Sequence, residues 1–320
     1  MRIVYPAAVA ALLISVSAPA MAATSYATTS GIYQISTSGS TSTFTNTGTL
    51  TISSTAVGTS TPTPSSTTGT NYSAWQSTIK YSTTSTGASG YGNYARATST
   101  VVYNPTTDTY TVRDTGSLTT TSSFGPSNVV SSSGNFTLYS KNGGTETFRL
   151  LNKSAVALTY VDYGEWKRSS TANGTTNVND TYLVFGQKTP GASVPRTGSA
   201  TYSASLDGTY INNTGAYNVS GTGTFNANFA SASLGYSASA TGTPQSTGSA
   251  IDFGTMTGTG SISYTGASFK GTGVTNANGY AMDVVGNFYG PNAQEIGGLF
   301  QLRNNSWTNR GNGEGAFVGH

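Results

Sequence analysis

The stretch GNFYGPNAQEIGGLF, residues 286–300, decides the fold. Two short apolar runs flank Gly290-Pro291, a pair that favours a tight turn, and a single acidic residue, Glu295, stands where the chain turns back. This reads as a hairpin. One carboxylate cannot share acid and base work between two groups, so no catalytic reading rests on it. Glu295 is instead expected to accept hydrogen bonds from loop amides, and Gly290 to supply a backbone conformation that a Cβ would penalise.

Working outward, the hairpin is one of a series. Residues 196–320 carry candidate strands at SATYSASL, AYNVSGTGTFNANF, ASLGYSAS, AIDFGTMTGTGSISY, ASFKGTG, YAMDVVGNFYG, EIGGLFQLR and GAFVGH, separated by turn-rich segments. Glycine recurs inside them, at Gly221, Gly223, Gly258, Gly260, Gly271, Gly273, Gly297 and Gly298. It weakens a flat strand but permits coiling and close backbone approach, so its repeated use predicts a sheet closed into a barrel of about eight strands. Inward-facing side chains are expected at Phe225, Phe229, Phe253, Phe269, Phe288, Ile296, Phe300 and Phe317.

Upstream, residues 97–114 place two Tyr/Val-rich runs around NPTTD, and residues 134–152 place two more around Asn142-Gly143-Gly144. ALTYVDYGEW, 157–166, and TYLVFG, 181–186, form a third pair. These predict one antiparallel, largely meandering sheet. The prolines of QKTPGASVPRTG, 187–198, suggest a boundary. The fold expected is therefore all-β, an N-terminal antiparallel sheet domain over 71–190 followed by an eight-stranded antiparallel barrel over 191–320.

Residues 1–22 read as an export signal, with Arg2, an apolar run from Ala7 to Val16, and small Ala20 and Ala22 in APAMA. Residues 23–70 form a Ser/Thr-rich, low-complexity segment. No later run is long and apolar enough for a helical membrane span. The chain contains no cysteine, which rules out disulfide staples and removes the acceptor for lipoprotein acylation. Only 8% of residues are charged and the net charge is +3, with the charges dispersed, so no footprint for nucleic acid is present.

The catalytic classes find little support. The one histidine is His320, the last residue, which leaves a Ser-His-Asp or Cys-His arrangement without its imidazole. The acids show no metal-ligand spacing. Asp162 and Glu165 are three apart on a candidate strand and so point to opposite faces. The glycine runs complete neither a dinucleotide nor a Walker motif.

Several motifs fall in a known order: RTGSATYSASLDG, FNANF, FGTMTGTGSIS, FKGTG, the Gly286–Phe300 hairpin and the closing GEGAFVGH. Together these resemble the β-barrel domain of the bacterial transferrin-binding protein B family over residues 196–320. LTYVDYGEW and FGQKTPGASVPRTG resemble the segment that links that family's handle-like sheet to its barrel. The resemblance implies an exported, non-catalytic binding protein at the cell surface, with loops presented to a host or environmental protein, or to an iron- or haem-related ligand. A structural or adhesive surface protein is the alternative. Without a cysteine to acylate, release into the periplasm or medium is expected beside outer-membrane association.

No cofactor is expected, with haem as the alternative ligand. Haem asks for an axial ligand, and Tyr163 and Trp166 lie where an aromatic pocket at the sheet-to-barrel link would form. Trp75 and Phe124, the latter in SFGPSN, are the candidate exposed anchors for a protein partner. A packing role competes for all four.

Overall fold

The structure is a computed structural model that describes residues 34–36, 43–45, 70–84, 87–89, 99–104, 106–114, 120–212, 214–246, 248–304 and 311–320. The expected export signal lies outside the described residues, as does most of the Ser/Thr-rich segment. Within the latter, β1 (Gln34–Ser36) and β2 (Thr43–Thr45) pair as a short antiparallel hairpin.

The first sheet contains β3 (Thr70–Thr84), β4 (Gly87–Ser89), β5 (Ser99–Asn104), β6 (Thr109–Asp114), β7 (Thr120–Phe124), β8 (Val129–Ser133), β9 (Phe136–Lys141), β10 (Glu146–Leu151), β11 (Val161–Ala172) and β12 (Thr175–Gly186). Its order is β7-β6-β5-β3-β12-β11-β10-β9-β8, with β4 beside β3. The sheet is largely the expected meander, with one departure at β3. Two meanders, β5 to β7 and β8 to β12, are joined edge to edge by β3, the first long strand of the sheet. β11 and β12 are also longer than their apolar runs, because Asn173 and Gly174, both at positive φ, close a two-residue turn of the kind that suits strand twist.

One face of this sheet builds a core of its own. Val101, Val112 and Phe124 from β5, β6 and β7 pack with Tyr139, Phe148, Trp166 and Leu183 from β9 to β12, so the sheet curls around them. Phe124 stacks on Phe148 with ring centroids 5.4 Å apart.

The second unit of architecture is a closed antiparallel barrel. Its strands are β13 (Ser199–Asn212), β14 (Gly215–Asn228), β15 (Ser233–Pro244), β16 (Ile251–Ser263), β17 (Ser268–Val274), β18 (Tyr280–Tyr289), β19 (Glu295–Asn304) and β20 (Gly311–Gly319). Each pairs with its neighbour in sequence, and β20 returns to β13. All eight expected inward residues lie in the barrel core, each buried. The glycines make room for them. The ring of Tyr236 crosses Gly258 and Gly271, where an added Cβ would sit 2.2 Å from its hydroxyl and 2.6 Å from its ring edge. Large residues thus face small ones across the lumen, and the interior fills with side chains.

Burial differs around the barrel wall. From β13 into β16 inward residues are buried and outward ones exposed, the period-two signature of a half-covered sheet. On β18, by contrast, every residue from Tyr280 to Tyr289 is buried. The first sheet covers the outside of the barrel here. Ile79, Tyr81, Val161, Tyr163, Tyr182 and Val184 from the sheet join Ile211, Val285, Leu299, Ala316 and Val318 from the barrel in one apolar layer.

The uncovered wall has a distinctive chemistry. Ser203, Thr224, Ser237 and Thr257 stand in register across four strands, and Ser205, Thr222, Ser239 and Thr255 form the next rung. Charged groups on this outer face are confined to its borders, at Asp252 and Lys270.

Glu295 now has its structural answer. Its Oε1 accepts the Thr159 N–H at 2.7 Å, and its Oε2 accepts the N–H groups of Tyr160 and Val161, both at 2.8 Å. The carboxylate on the barrel hairpin therefore caps the amides that lead into β11 of the sheet. On the other side, the Gly290 N–H donates to the Gln187 carbonyl at 2.9 Å and Thr189 Oγ1 donates to the Gly290 carbonyl at 2.6 Å. Both ends of the β11–β12 hairpin are pinned to this corner. Gly290 has φ +83°, and a Cβ there would lie 2.7 Å from the Tyr160 ring. Gly290→Ala is therefore expected to cost about 1–2 kcal/mol for the left-handed backbone alone, read as a lowered urea midpoint. An unchanged midpoint would contradict this account.

Candidate functional site at the sheet–barrel junction and the sheet edge

Tyr163 does not converge with Trp166 and Phe124. Trp75 sits on β3 opposite Val184. Tyr163 and Trp166, three apart on β11, point to opposite faces and enter different cores. The Trp166 ring is fully buried, its Nε1 donates to Glu146 Oε1 at 3.0 Å, and the Arg168 guanidinium lies 4.0 Å from the ring centroid. Tyr163 stacks with Tyr182 in the layer between sheet and barrel, and its hydroxyl accepts a hydrogen bond from Arg149 Nη2 at 3.0 Å. The two rings lie in different cores, and both are buried. Phe124 is likewise not the exposed anchor anticipated, since it is fully buried. The turn in which it sits made it look solvent-facing, but the curl of β5 to β7 folds its ring inward.

The turn does, however, present other apolar groups. Directly after the Pro126–Asn128 turn, β8 begins with Val129 and Val130, which are 39% and 60% exposed. Only Val274 joins them as an exposed large hydrophobic side chain among the described residues. β8 is the terminal strand of its sheet, paired through β9, and a register shift between Val129 and Ser131 breaks its ladder. Such a bulge turns consecutive side chains outward together.

The junction behind Tyr163 holds a partly buried ionic network that sequence reading did not find. Arg149 on β10 reaches Glu165 on β11 through Nε at 2.6 Å and clasps Asp207 on β13 with both terminal nitrogens, at 2.7 and 2.8 Å. It thus ties sheet to barrel. Lys167 lies 2.9 Å from Glu165 and 3.1 Å from Asp180 on β12. Asp180 Oδ2 also accepts the Thr209 hydroxyl of β13 at 2.8 Å. Burial pushes the Glu165 carboxyl up, but Arg149 and Lys167 more than offset this and hold it at about 2. Alternation on β11 could have hinted at Glu165 and Lys167 sharing a face. Nothing local hints at Asp207, which is 58 residues from Arg149.

A cleft of about 310 Å³ opens at the barrel rim between the β13–β14 turn and the β15–β16 loop. Its lining includes Asn212, Thr214, Tyr217, Ser246 and Ile251, and no charged residue.

Sheet, barrel and the ionic junction between them define a class of protein: an all-β scaffold that presents edges and loops from packed cores. Residues 194–319 match the family described as the C-lobe and N-lobe beta barrels of Tf-binding protein B. The barrel is a transferrin-binding protein B-type barrel domain. Solved structures similar to the chain include a point mutant of the transferrin binding protein B of Haemophilus parasuis Hp5, at 14% identity and a TM-score of 0.41, over 74% of this chain and 54% of that one. The isotype 1 transferrin binding protein B of serogroup B Neisseria meningitidis is similar at 17% identity and a TM-score of 0.43, over 76% of this chain and 43% of that one. The N-lobe domain of lactoferrin binding protein B from Moraxella bovis is similar at 16% identity and a TM-score of 0.34, over 54% of this chain and 79% of that one. The chain spans about half the length of the two transferrin binding proteins. No curated protein matches it.

Proposed function

We propose that this chain is an exported, non-catalytic binding protein that recognises a protein partner through the sheet edge at Val129 and Val130. The observation that carries this reading is the exposure of these two adjacent valines. Most other large apolar side chains described are withdrawn into three cores. Burying exposed Val side chains against a partner is worth about 1.5–3 kcal/mol each, and an edge strand is a ready template for an incoming extended segment.

The names of the similar solved proteins make host transferrin the first partner to assay, with iron acquisition as the role that would follow. Surface exposure or release after export is part of the same reading. A haem ligand is the less favoured choice, because Tyr163 and Trp166 are both committed to packing.

The test is capture from host serum, and separately of purified transferrin, by the immobilised wild type and by the Val129→Ser/Val130→Ser double variant. The wild type is expected to retain a defined protein and the variant to lose at least tenfold in affinity, with its unfolding midpoint nearly unchanged. Equal retention by both would overturn the edge as the site. No retained protein in either fluid would count against the partner reading itself.

A further inference from the structure

We propose that the junction between sheet and barrel is a proton-operated latch: Asp180 of β12, sealed against Thr209 of β13, holds a proton while the two are docked and gives it up as they part. The first support is a charge count. Two cations, Arg149 and Lys167, are shared among three carboxylates, Glu165, Asp180 and Asp207. Three minus two leaves one negative charge uncompensated, and while Arg149, Lys167 and Asp207 keep part of their surface in water, Glu165 and Asp180 are withdrawn from it. A proton on one carboxyl removes that charge.

Geometry selects which carboxyl takes the proton. Glu165 touches both cations, and Asp207 receives two nitrogens of Arg149. Asp180 has only Lys167 as a charged partner and is completely buried. Its Oδ1 has no hydrogen-bond partner, the position left for a proton or a water. The other groups around it do not supply the missing charge. Tyr182 on its own strand, Tyr163 on β11 and Tyr81 on β3 all have hydroxyls held above their ordinary range, chiefly by burial, so they stay neutral. From the barrel, Thr209 is uncharged, and the neighbouring carboxylate in its rung, Glu314 of β20, adds no positive charge.

The titration of Asp180 agrees with this assignment. Burial first, and then the nearby Glu165 carboxylate, push it up to about 7. Asp207 is also pushed up, mainly by burial. A carboxyl whose pKa is higher when docked binds more protons in that state than when released, so docking weakens as pH rises between the ordinary carboxyl range and about 7. Arg149 and Lys167 stay charged throughout. The latch is therefore tightest in the ordinary carboxyl range, loosens progressively up to about pH 7 and changes no further above it.

The experiment follows amide hydrogen exchange of the full chain from about pH 5 to about pH 8, corrected for intrinsic rates, with unfolding midpoints at the same pH values. The wild type is expected to lose protection with rising pH at Thr209–Ile211 and at β11 and β12, while the far wall, β14 to β16, keeps its protection. Asp180→Asn, which carries no titrating group, is expected to abolish the pH dependence. Should that variant fold poorly, the carboxyl-carbon NMR titration of Asp180 in the wild type serves alone, with an expected midpoint about three pH units above an ordinary aspartate. A midpoint near 4, junction protection that does not change with pH, or a loss spread evenly over the whole barrel would each overturn the latch.

Discussion

Arg149→Met is expected to lower the unfolding free energy by about 3–5 kcal/mol, the usual cost of removing one partner from a buried ion pair. The loss does not measure the worth of the attraction itself, since replacing a whole buried network with apolar groups is often neutral. It arises because Glu165, buried, and Asp207, half-buried, would remain behind without the guanidinium that now contacts both. Methionine keeps much of the stem packed against the Phe136 ring, where the guanidinium carbon now lies 4.4 Å from the ring centroid. Urea unfolding followed by tryptophan fluorescence gives the number. A midpoint that moves by less than about 0.5 kcal/mol in free energy would mean that the two carboxylates find other partners and that the clasp is incidental.

Glu295→Ala should cost about 3 kcal/mol. Three backbone N–H groups, those of Thr159, Tyr160 and Val161, would lose their acceptor together, and an unsatisfied buried donor costs about 1–3 kcal/mol. The solvent-facing position of Thr159 lets water recover part of its share. Glu295→Gln should lose about half as much, because the amide oxygen can keep the two contacts of Oε2 while its NH₂ group faces the Thr159 N–H. Partner capture by the folded fraction should be unchanged in either variant, since the hairpin lies in the junction and not at Val129. A pair of variants with no stability loss but weakened capture would instead make Gly286–Phe300 a binding site.

The barrel was legible in the sequence because its signal is local. Alternation at period two, glycine opposite aromatic residues and turn residues at short intervals are all readable within a few dozen positions, and they gave the inward phenylalanines correctly. The unbroken burial of β18 was less legible, since it depends on a sheet that arrives from elsewhere in the chain. The run YAMDVVGNFY does contain little polar interruption, a mark of burial on both faces that alternation alone does not reveal. Position β3 was missed for a related reason: its pairing with β12 links residues about a hundred positions apart. Phe124 misled because Gly-Pro-Ser-Asn beside it is a surface turn, and a turn says nothing about the direction of the ring that precedes it. The polar ends of β11 and β12 were missed because RSSTANGTTNVND has no apolar stripe, although Asn173-Gly174 marks their turn.

The hydroxyl rungs on the outer barrel wall have a consequence for the protein as a colloid. Most soluble domains stay dispersed through a mosaic of surface charges whose repulsion depends on pH and ionic strength. Across Ser203, Thr224, Ser237 and Thr257 that mosaic is missing, and water is held by neutral groups that neither titrate nor gather counterions. This wall keeps the same character in fresh water, in brine and on either side of neutrality, so the rise in pH that loosens the junction leaves it unaltered.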